Sequence, residues 1–187
     1  NDHSTDGSAH VCQALATEHA RIRVMESANG QLGFGSAVKQ GLQGVSGESV
    51  VIVMSDGADD PQDVVKLWRQ LAAGSPVVYG SRFMVGSKVT GYPPLKFVLN
   101  RLGNWLLMGL FRIPSRDVTN ALKGYQRSAL AAIGPLEAKG FDLTVELPLK
   151  AARCGFPCVA VPVRWTERRA GRSKHRLVRT CWDYLRT

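Results

Sequence analysis

Residues 49–61 read SVVIVMSDGADDP, which predicts a buried strand followed by an acidic loop and the start of a helix. The run Ser49–Met54 is apolar and rich in β-branched residues, as expected for a strand covered on both faces of a parallel sheet. Asp60 can cap a helix and Pro61 suits its first position. Apolar residues then recur with helical spacing, and Val77–Tyr79 predicts the next strand. Strand, helix and strand in this order predict a βαβ unit and an α/β fold.

The sequence on either side of this unit alternates between helical and strand patterns. Helices are predicted at His10–Ala20, Ala37–Leu42, Pro94–Arg112 and Thr144–Arg153, and further strands at Ile22–Met25 and Pro157–Arg164. The chain has 187 residues, which is enough for one domain with a core and short for two. We therefore expect a single α/β domain over residues 1–187.

Positive charge is concentrated at the end of the sequence. The formal net charge is +9, and residues 164–187 contain eight basic residues against two acidic ones. This basic segment predicts an anionic partner, which could be a diphosphate, a lipid surface or a nucleic acid, or it is simply a solvated face. The longest apolar runs are too short to cross a bilayer. The four cysteines lack metal-ligand spacing, which favours free thiols in a reducing compartment.

The acidic loop after the first strand predicts a cation site. Asp56, Asp59 and Asp60 lie within five residues at the carboxyl end of a strand, where α/β sheets bind ligands. Carboxylates at close range repel each other unless a cation lies between them. Because Mg²⁺ and Mn²⁺ bind one or two carboxylates together with substrate phosphates, we expect one of these ions here. The alternative for Asp59 and Asp60 is that they only cap the helix that follows.

Two basic segments can supply an anion site beside this loop. Arg82 follows the second strand in a Gly-Ser-Arg motif, so its guanidinium can reach an anion in the same crevice, unless it forms only a surface ion pair. Residues 164–174 combine basic side chains with a glycine and a serine, which allow a loop to fold over phosphate oxygens. The acidic loop and both basic segments together predict a metal–diphosphate site.

These residues, in this order, resemble the catalytic domain of glycosyltransferase family 2, which has the GT-A fold, and within it the dolichyl-phosphate mannose synthase-like branch. The resemblance covers most of the chain, including residues 1–7, NDHSTDG, which are similar to the family's Asp-Asp-x-Ser-x-Asp-Gly nucleotide loop. It implies that Asp2, Ser4 and Asp56 bind the nucleotide. The segment from Asp56 to Pro61 resembles the metal-binding motif, which implies Asp56 with Asp59 or Asp60 as ligands.

The resemblance also implies roles for the basic residues. Arg82 matches a phosphate-contacting arginine, and Asp117 to Asn120 follow the pattern of the branch. Where relatives have Arg-x-x-x-Ser for the acceptor phosphate, this chain has Lys96 and Asn100. The segment from Arg168 to Lys174 is similar to a flexible catalytic loop, and we expect the basic segment 164–187 to cover the site. The implied acceptor-phosphate contacts are Lys96, Asn100, Arg101 and Ser173, and the implied catalytic residues are Asp56, Asp59, Arg82, Arg168 and Lys174.

The resemblance implies inverting, metal-dependent transfer of a hexose from a nucleotide-diphosphate sugar, of the GDP-mannose or UDP-glucose type, to a polyprenyl or dolichyl phosphate. A phosphate acceptor is already anionic and needs no general base. A family 2 transferase acting on a sugar hydroxyl is the alternative, and it needs a carboxylate base, for which Glu146 and Asp142 are the candidates. A non-catalytic nucleotide-binding or nucleic-acid-binding protein is the alternative from another class. We expect no nucleic-acid partner, because no recognised module accompanies the basic segment.

A lipid acceptor implies a location at a membrane. The predicted helix Pro94–Arg112 carries an apolar stripe flanked by Lys96, Arg101 and Arg112, which predicts an interfacial amphipathic helix at the cytoplasmic face. The alternative is that this stripe packs on the sheet. The family sheet is mostly parallel, and relatives begin with a strand ending in a Pro-x-x-Asn-Glu-like turn. Because this segment is absent, we expect an N-terminally truncated sequence whose sheet lacks the family's first strand.

Overall fold

The computed structural model describes residues 1–27, 33–113 and 115–167. The elements within these ranges alternate between helices and short strands. In chain order they are α1 (Ser8–Glu18), α2 (Phe34–Gln43), β1 (Ser49–Ile52), α3 (Pro61–Ala72), β2 (Val77–Ser81), β3 (Lys88–Thr90), α4 (Pro94–Phe111), β4 (Lys123–Gln126), α5 (Arg127–Ile133), α6 (Leu143–Arg153), β5 (Cys158–Pro162) and β6 (Arg164–Thr166).

The predicted elements agree with the structure except for one strand. Helix α3 begins where its cap predicts, because the side chain of Asp60 accepts a hydrogen bond of 2.8 Å from the backbone N–H of Gln62. The prediction of a strand at Ile22–Met25 is wrong. The Met25 carbonyl accepts a hydrogen bond from the amino group of Asn1, but within the described ranges no strand runs beside this segment. An extended segment forms a strand only where a neighbour shares its backbone hydrogen bonds.

The central sheet has four strands in the order β1-β4-β2-β5. Strand β4 pairs antiparallel with both β1 and β2, whereas β5 pairs parallel with β2. Three strands therefore run in one direction, and the α/β prediction is confirmed. The predicted βαβ unit is present, but its two strands are separated by β4. The sheet is mixed rather than simply parallel, because a strand from much later in the sequence is inserted between the two.

Helices cover both faces of this sheet. On one face, Leu67 and Leu71 of α3 pack against Val78 in a fully buried cluster. The opposite face carries Val77, Tyr79 and Tyr125 beneath α5 and α6. Gly124 in β4 allows the close approach of α3, because a Cβ atom there would lie 2.8 Å from Cδ1 of Leu71. Because β1 and β2 both run antiparallel to β4, their carboxyl ends lie at the same edge of the sheet.

A second, two-stranded sheet lies beside the end of β1. Strand β6 pairs parallel with β3, in a register that places Trp165 opposite Val89. The backbone N–H of Thr166 donates a hydrogen bond of 3.0 Å to the carbonyl of Ala58, and Asp59 pairs with Trp165 in an isolated antiparallel bridge. The chain that follows β5 is thereby held against the acidic loop.

Candidate active site

The acidic loop contains a buried carboxylate oxygen without a partner. Oδ1 of Asp59 has no hydrogen bond, whereas Oδ1 of the exposed Asp56 accepts one of 3.1 Å from the backbone N–H of Ala58. Burial and the neighbouring Asp56 carboxylate raise the pKa of Asp59 to about 6, although the positive charge of Arg82 lowers it. An unpartnered oxygen beside a second carboxylate fits a divalent cation. No cluster of three or more metal-ligating side chains occurs in residues 1–27, 33–113 and 115–167. Substrate oxygens would therefore have to complete the coordination of such an ion, as is usual for Mg²⁺.

Asp60 is engaged elsewhere. One of its oxygens caps α3 through Gln62, and the other lies 3.1 Å from Nη2 of Arg164. The predicted cap at Asp60 is present and uses one oxygen, and the ion pair with Arg164 uses the other, while metal binding by Asp60 stays a prediction. Asp63, one turn further along α3, is fully buried and accepts a 2.5 Å hydrogen bond from the backbone N–H of Arg164. The two aspartates thus fix the start of β6 beside the acidic loop.

Arg82 is held by a buried ion pair with Asp117. Its Nε and Nη2 atoms donate hydrogen bonds of 2.8 Å to the two oxygens of Asp117, and its backbone N–H donates a third of 2.9 Å. Asp117 is fully buried, and 9% of the Arg82 side chain is exposed. Burial lowers the pKa of Arg82, but the Asp117 carboxylate raises it more, so the guanidinium stays charged. The alternative of a surface ion pair is wrong.

Sequence reasoning did not identify this role of Asp117. The two partners lie thirty-five residues apart, so no local spacing connects them. The motif Asp117 to Asn120 was the available signal, and it gave no indication of which cation the carboxylate binds.

Several aromatic rings and basic side chains, Arg82 among them, contact one another in a group that we call the aromatic–cation cluster. It consists of the rings of Phe83, Tyr92, Phe97 and Trp165 and the cations of Arg82, Lys96 and Arg101. The guanidinium of Arg101 lies 4.6 Å from the centre of the Phe83 ring, and the ammonium of Lys96 lies 5.4 Å from that of Tyr92. These distances allow cation–π attraction. The structure therefore brings together three predicted basic residues, along with rings that the sequence did not single out.

Trp165 joins this cluster to the acidic loop. Its backbone pairs with Asp59, and its ring centre lies 5.8 Å from the Arg82 guanidinium and 4.9 Å from the centre of the Tyr92 ring. Asp59 and Arg82 are close enough for the charge of each to shift the pKa of the other. A site suited to a cation and a site suited to an anion therefore lie side by side.

Two of the predicted acceptor residues also form hydrogen bonds within the protein. Asn100 donates a 3.0 Å hydrogen bond to Oγ1 of Thr119 and accepts one of 2.9 Å from Asn104, so its amide faces a protein network. Nη1 of Arg101 donates a 2.7 Å hydrogen bond to the carbonyl of Arg116. Three further predicted residues, Arg168, Ser173 and Lys174, lie outside the described residues.

The predicted nucleotide loop folds against the start of α2. The two oxygens of Asp2 accept hydrogen bonds from Oγ of Ser27 (3.1 Å) and from the backbone N–H of Gly33 (2.9 Å). The backbone N–H of Ser4 bonds Oδ1 of Asn1, and Ser4 is exposed. Asp2 thus positions this loop, while Ser4 remains accessible.

Glu146, a candidate general base, is held by hydrogen bonds and an ion pair within the protein. It is buried, and its oxygens accept hydrogen bonds of 2.8 Å from the backbone N–H groups of Glu137 and Ala138. One of these oxygens also forms an ion pair with the ammonium of Lys150, at 2.7 Å. Burial raises the pKa of Glu146, but these bonds lower it more, and the net pKa is below its usual value. A carboxylate held in this way is unsuited to accept a proton. Oδ1 of Asp142 bonds the backbone N–H of Gly140.

Helix α4 exposes most of its apolar side chains. Leu95, Trp105 and Leu110 are 65–71% exposed, whereas Asn104 and Leu107 are the buried residues of the helix. The alternative prediction, that the apolar stripe of this helix packs in the core, therefore applies to Leu107 but not to most of the stripe. No helix in the described part of the chain has the length and hydropathy needed to cross a membrane. A contiguous exposed apolar surface marks an interaction site.

Comparisons with known proteins identify the class and then the family. The fold resembles solved GT-A glycosyltransferases, among them glucosyl-3-phosphoglycerate synthase from Mycobacterium tuberculosis in complex with Mn²⁺, UDP and glucosyl-3-phosphoglycerate. That match has a TM-score of 0.66 and 19% identity, and covers 97% of this chain and 62% of that one. The profile of glycosyl transferase family 2 matches residues 1–134. The chain belongs to this family, which makes it a glycosyltransferase with the predicted GT-A fold.

Two curated relatives match nearly the whole chain. Polyprenol monophosphomannose synthase from Mycolicibacterium smegmatis is 31% identical over 180 residues, covering 93% of this chain and 68% of that protein. Undecaprenyl-phosphate mannosyltransferase from Micrococcus luteus is 27% identical over 179 residues, covering 93% of this chain and 73% of that protein. The chain thus spans about two thirds of the length of these proteins.

Proposed function

We propose that this chain transfers a hexose, with inversion, from a nucleotide-diphosphate sugar to a polyprenyl phosphate. The observation that carries the proposal is the unpartnered oxygen of Asp59 beside the aromatic–cation cluster, with Trp165 between them. Such a pair of sites suits a reaction in which one diphosphate leaves and one phosphate attacks. The names of the two curated relatives support a polyprenyl phosphate acceptor.

In this proposal the donor diphosphate binds beside the acidic loop. Asp56 and Asp59 would hold a Mg²⁺ or Mn²⁺ ion, which supplies positive charge to the leaving diphosphate when it is bound. The presence of Mn²⁺ and UDP together in a solved structure of the same fold supports this assignment. Arg82 adds a fixed positive charge on the same side, because Asp117 prevents its guanidinium from swinging away. The basic residues Arg168 and Lys174 are proposed to close over the same diphosphate.

In this proposal the acceptor phosphate binds in the aromatic–cation cluster. Lys96 and Arg101 provide positive charge there, and Lys96 lies 3.8 Å from the carboxylate of Glu167. The rings beside these cations form an apolar wall suited to the start of a lipid chain. A phosphate oxygen attacks without a general base, and the oxygens of Glu146 are occupied by other partners. The environment of Glu146 therefore favours a phosphate acceptor over a sugar hydroxyl.

We propose that the exposed face of α4 binds a membrane surface. Its apolar side chains adjoin the aromatic–cation cluster through Phe97, and its flanking cations suit anionic headgroups. A lipid phosphate lying in the membrane could then enter the cluster without leaving the bilayer interface. Trp105→Glu and Leu110→Glu should abolish binding to anionic vesicles. Val65→Glu on the partly exposed face of α3 is the control and should leave binding intact.

A transfer assay with a panel of donors tests the proposal. GDP-mannose, UDP-glucose and UDP-N-acetylglucosamine are each supplied with a short polyprenyl phosphate and Mg²⁺ or Mn²⁺, and product formation is measured. Asp59→Asn should lower the rate at least a hundredfold, the magnitude typical of losing an electrostatic contact in a transition state. Glu146→Gln should retain the rate in its folded fraction. Undiminished transfer by the Asp59 variant would remove the acidic loop from the reaction, and loss of transfer by the Glu146 variant would favour the hydroxyl mechanism.

A further inference from the structure

A buried polar side chain lies in helix α4, most of whose apolar residues are exposed. Asn104 is fully buried, and all of its amide groups are used. Its Oδ1 accepts a 3.0 Å hydrogen bond from the backbone N–H of Thr119, and its Nδ2 donates to Oγ1 of Thr119 and to Asn100. A buried asparagine costs free energy unless each group is paired, so this position is built for a specific contact.

The contacted loop also holds the partner of Arg82. Helix α4 contacts it at two points: Arg101 donates to the carbonyl of Arg116, and Asn100 and Asn104 both bond Thr119. Asp117 lies between these two points, and it makes three hydrogen bonds to Arg82. Helix α4 therefore binds the loop on both sides, in the sequence, of the carboxylate that holds the guanidinium.

The loop is also held from its other sides. The backbone N–H of Asp117 bonds Oγ of Ser115 at 3.2 Å, and the side chain of Asn120 donates 2.8 Å to the carbonyl of Gly80. The bond to Gly80 fixes the end of the loop to β2 but does not reach the Thr119 amide. Asn104 is the side chain of α4 that accepts a hydrogen bond from the backbone of Thr119, in the middle of the loop.

We infer that Asn104 is a positioning residue through which α4 fixes Asp117 and thereby Arg82. This inference rests on the proposed function in one respect, that Arg82 acts on a phosphate group. Its consequence is that docking of α4 on a lipid surface and ordering of the phosphate site are coupled. The exposed apolar residues of α4 bind the surface, and the one buried amide connects that surface to the site.

Amide hydrogen exchange in the lipid-free chain tests the connection without any assay of activity. Asn104→Ala should speed exchange at the backbone N–H of Arg82 about tenfold or more, because the loop that carries its acceptor loses a hydrogen bond. Leu107→Ala is the matched control, since it removes the other buried side chain of α4 and leaves the polar network intact.

The outcomes separate a positioning role from general loss of stability. Faster exchange at Arg82 in Asn104→Ala but not in Leu107→Ala supports the inference. Equal acceleration in both variants, or acceleration at Thr119 without any at Arg82, overturns it. In the transfer assay, Asn104→Ala should raise the KM for the donor about tenfold with little change in the KM for polyprenyl phosphate, because Arg82 is placed beside the donor diphosphate. An equal rise in both constants would also contradict a specific effect on Arg82.

Vesicles of phosphatidylcholine and phosphatidylglycerol test the coupling to the membrane. They should slow exchange at Arg82 in the wild-type chain and leave Asn104→Ala unaffected. Slowing of equal size in both would refute the route through Asn104. If the vesicles do not bind at all, the membrane part of the proposed function fails, whereas the lipid-free exchange experiment still decides the role of Asn104.

Discussion

Substitution of Asp59 by asparagine should stabilise the chain at neutral pH. Burial and the Asp56 carboxylate, with a smaller contribution from Asp63, raise the pKa of Asp59 from 3.8 to about 6, while Arg82 opposes them. The folded state therefore holds the Asp59 proton more tightly than the unfolded state does. Asparagine removes the charge and keeps an oxygen for the backbone hydrogen bond from Met54.

The size of the effect follows from linkage between proton binding and folding. Raising the pKa of Asp59 from 3.8 to about 6 corresponds to about 3 kcal/mol, which contact with solvent reduces to about 1–2 kcal/mol. At pH 3 the carboxyl is protonated in both states, so the cost is absent. The cost grows as the pH rises from 3.8 to 6, and it is complete at pH 7.

Urea unfolding at several pH values measures this difference. Asp59→Asn should be more stable than wild type by about 1–2 kcal/mol at pH 7 and equal to it at pH 3. Asp60→Asn is the control, because it keeps the helix cap but weakens the pair with Arg164, and it should not stabilise. A variant at Asp59 that is less stable than wild type at pH 7 would refute this account of the acidic loop. Adding Mn²⁺ and nucleotide should stabilise wild type but not the variant.

Three further substitutions test the buried interactions. Asp117→Ala leaves the Arg82 guanidinium without its counter-charge and should cost about 3 kcal/mol in urea unfolding, whereas a loss below about 1 kcal/mol would contradict a buried pair. Burial lowers the pKa of Lys123 to about 7, although Asp117 opposes this, so stability should fall as the pH drops from 10.5 towards 7. Lys123→Met should therefore stabilise by about 1–3 kcal/mol at pH 7 and much less at pH 10, and an effect independent of pH would disprove this. Gly124→Ala should destabilise by about 1–3 kcal/mol because its Cβ has no room, while Gly109→Ala, with open space around it, should not; equal melting temperatures would contradict this.

Local patterns in the sequence predicted individual elements well. The apolar run before Asp56 and the cap at Asp60 define β1 and α3, because both depend on residues that are neighbours in the chain. The acidic loop and Arg82 were identifiable for the same reason, since each comes after a strand in the sequence. The strand predicted at Ile22–Met25 failed because strand formation depends on a partner, which a periodic pattern does not provide.

The sequence by itself determined the fold class, the family and the residues that carry charge beside the sheet. Only the tertiary structure decided how those charges are paired. It showed that Arg82 binds Asp117, that Asp60 is engaged by its cap and Arg164, and that an unpartnered oxygen belongs to Asp59. It also showed that α4 faces outward apart from Asn104 and Leu107. The physical reason is that pairing, burial and exposure depend on contacts between distant segments, and chain folding alone creates those contacts.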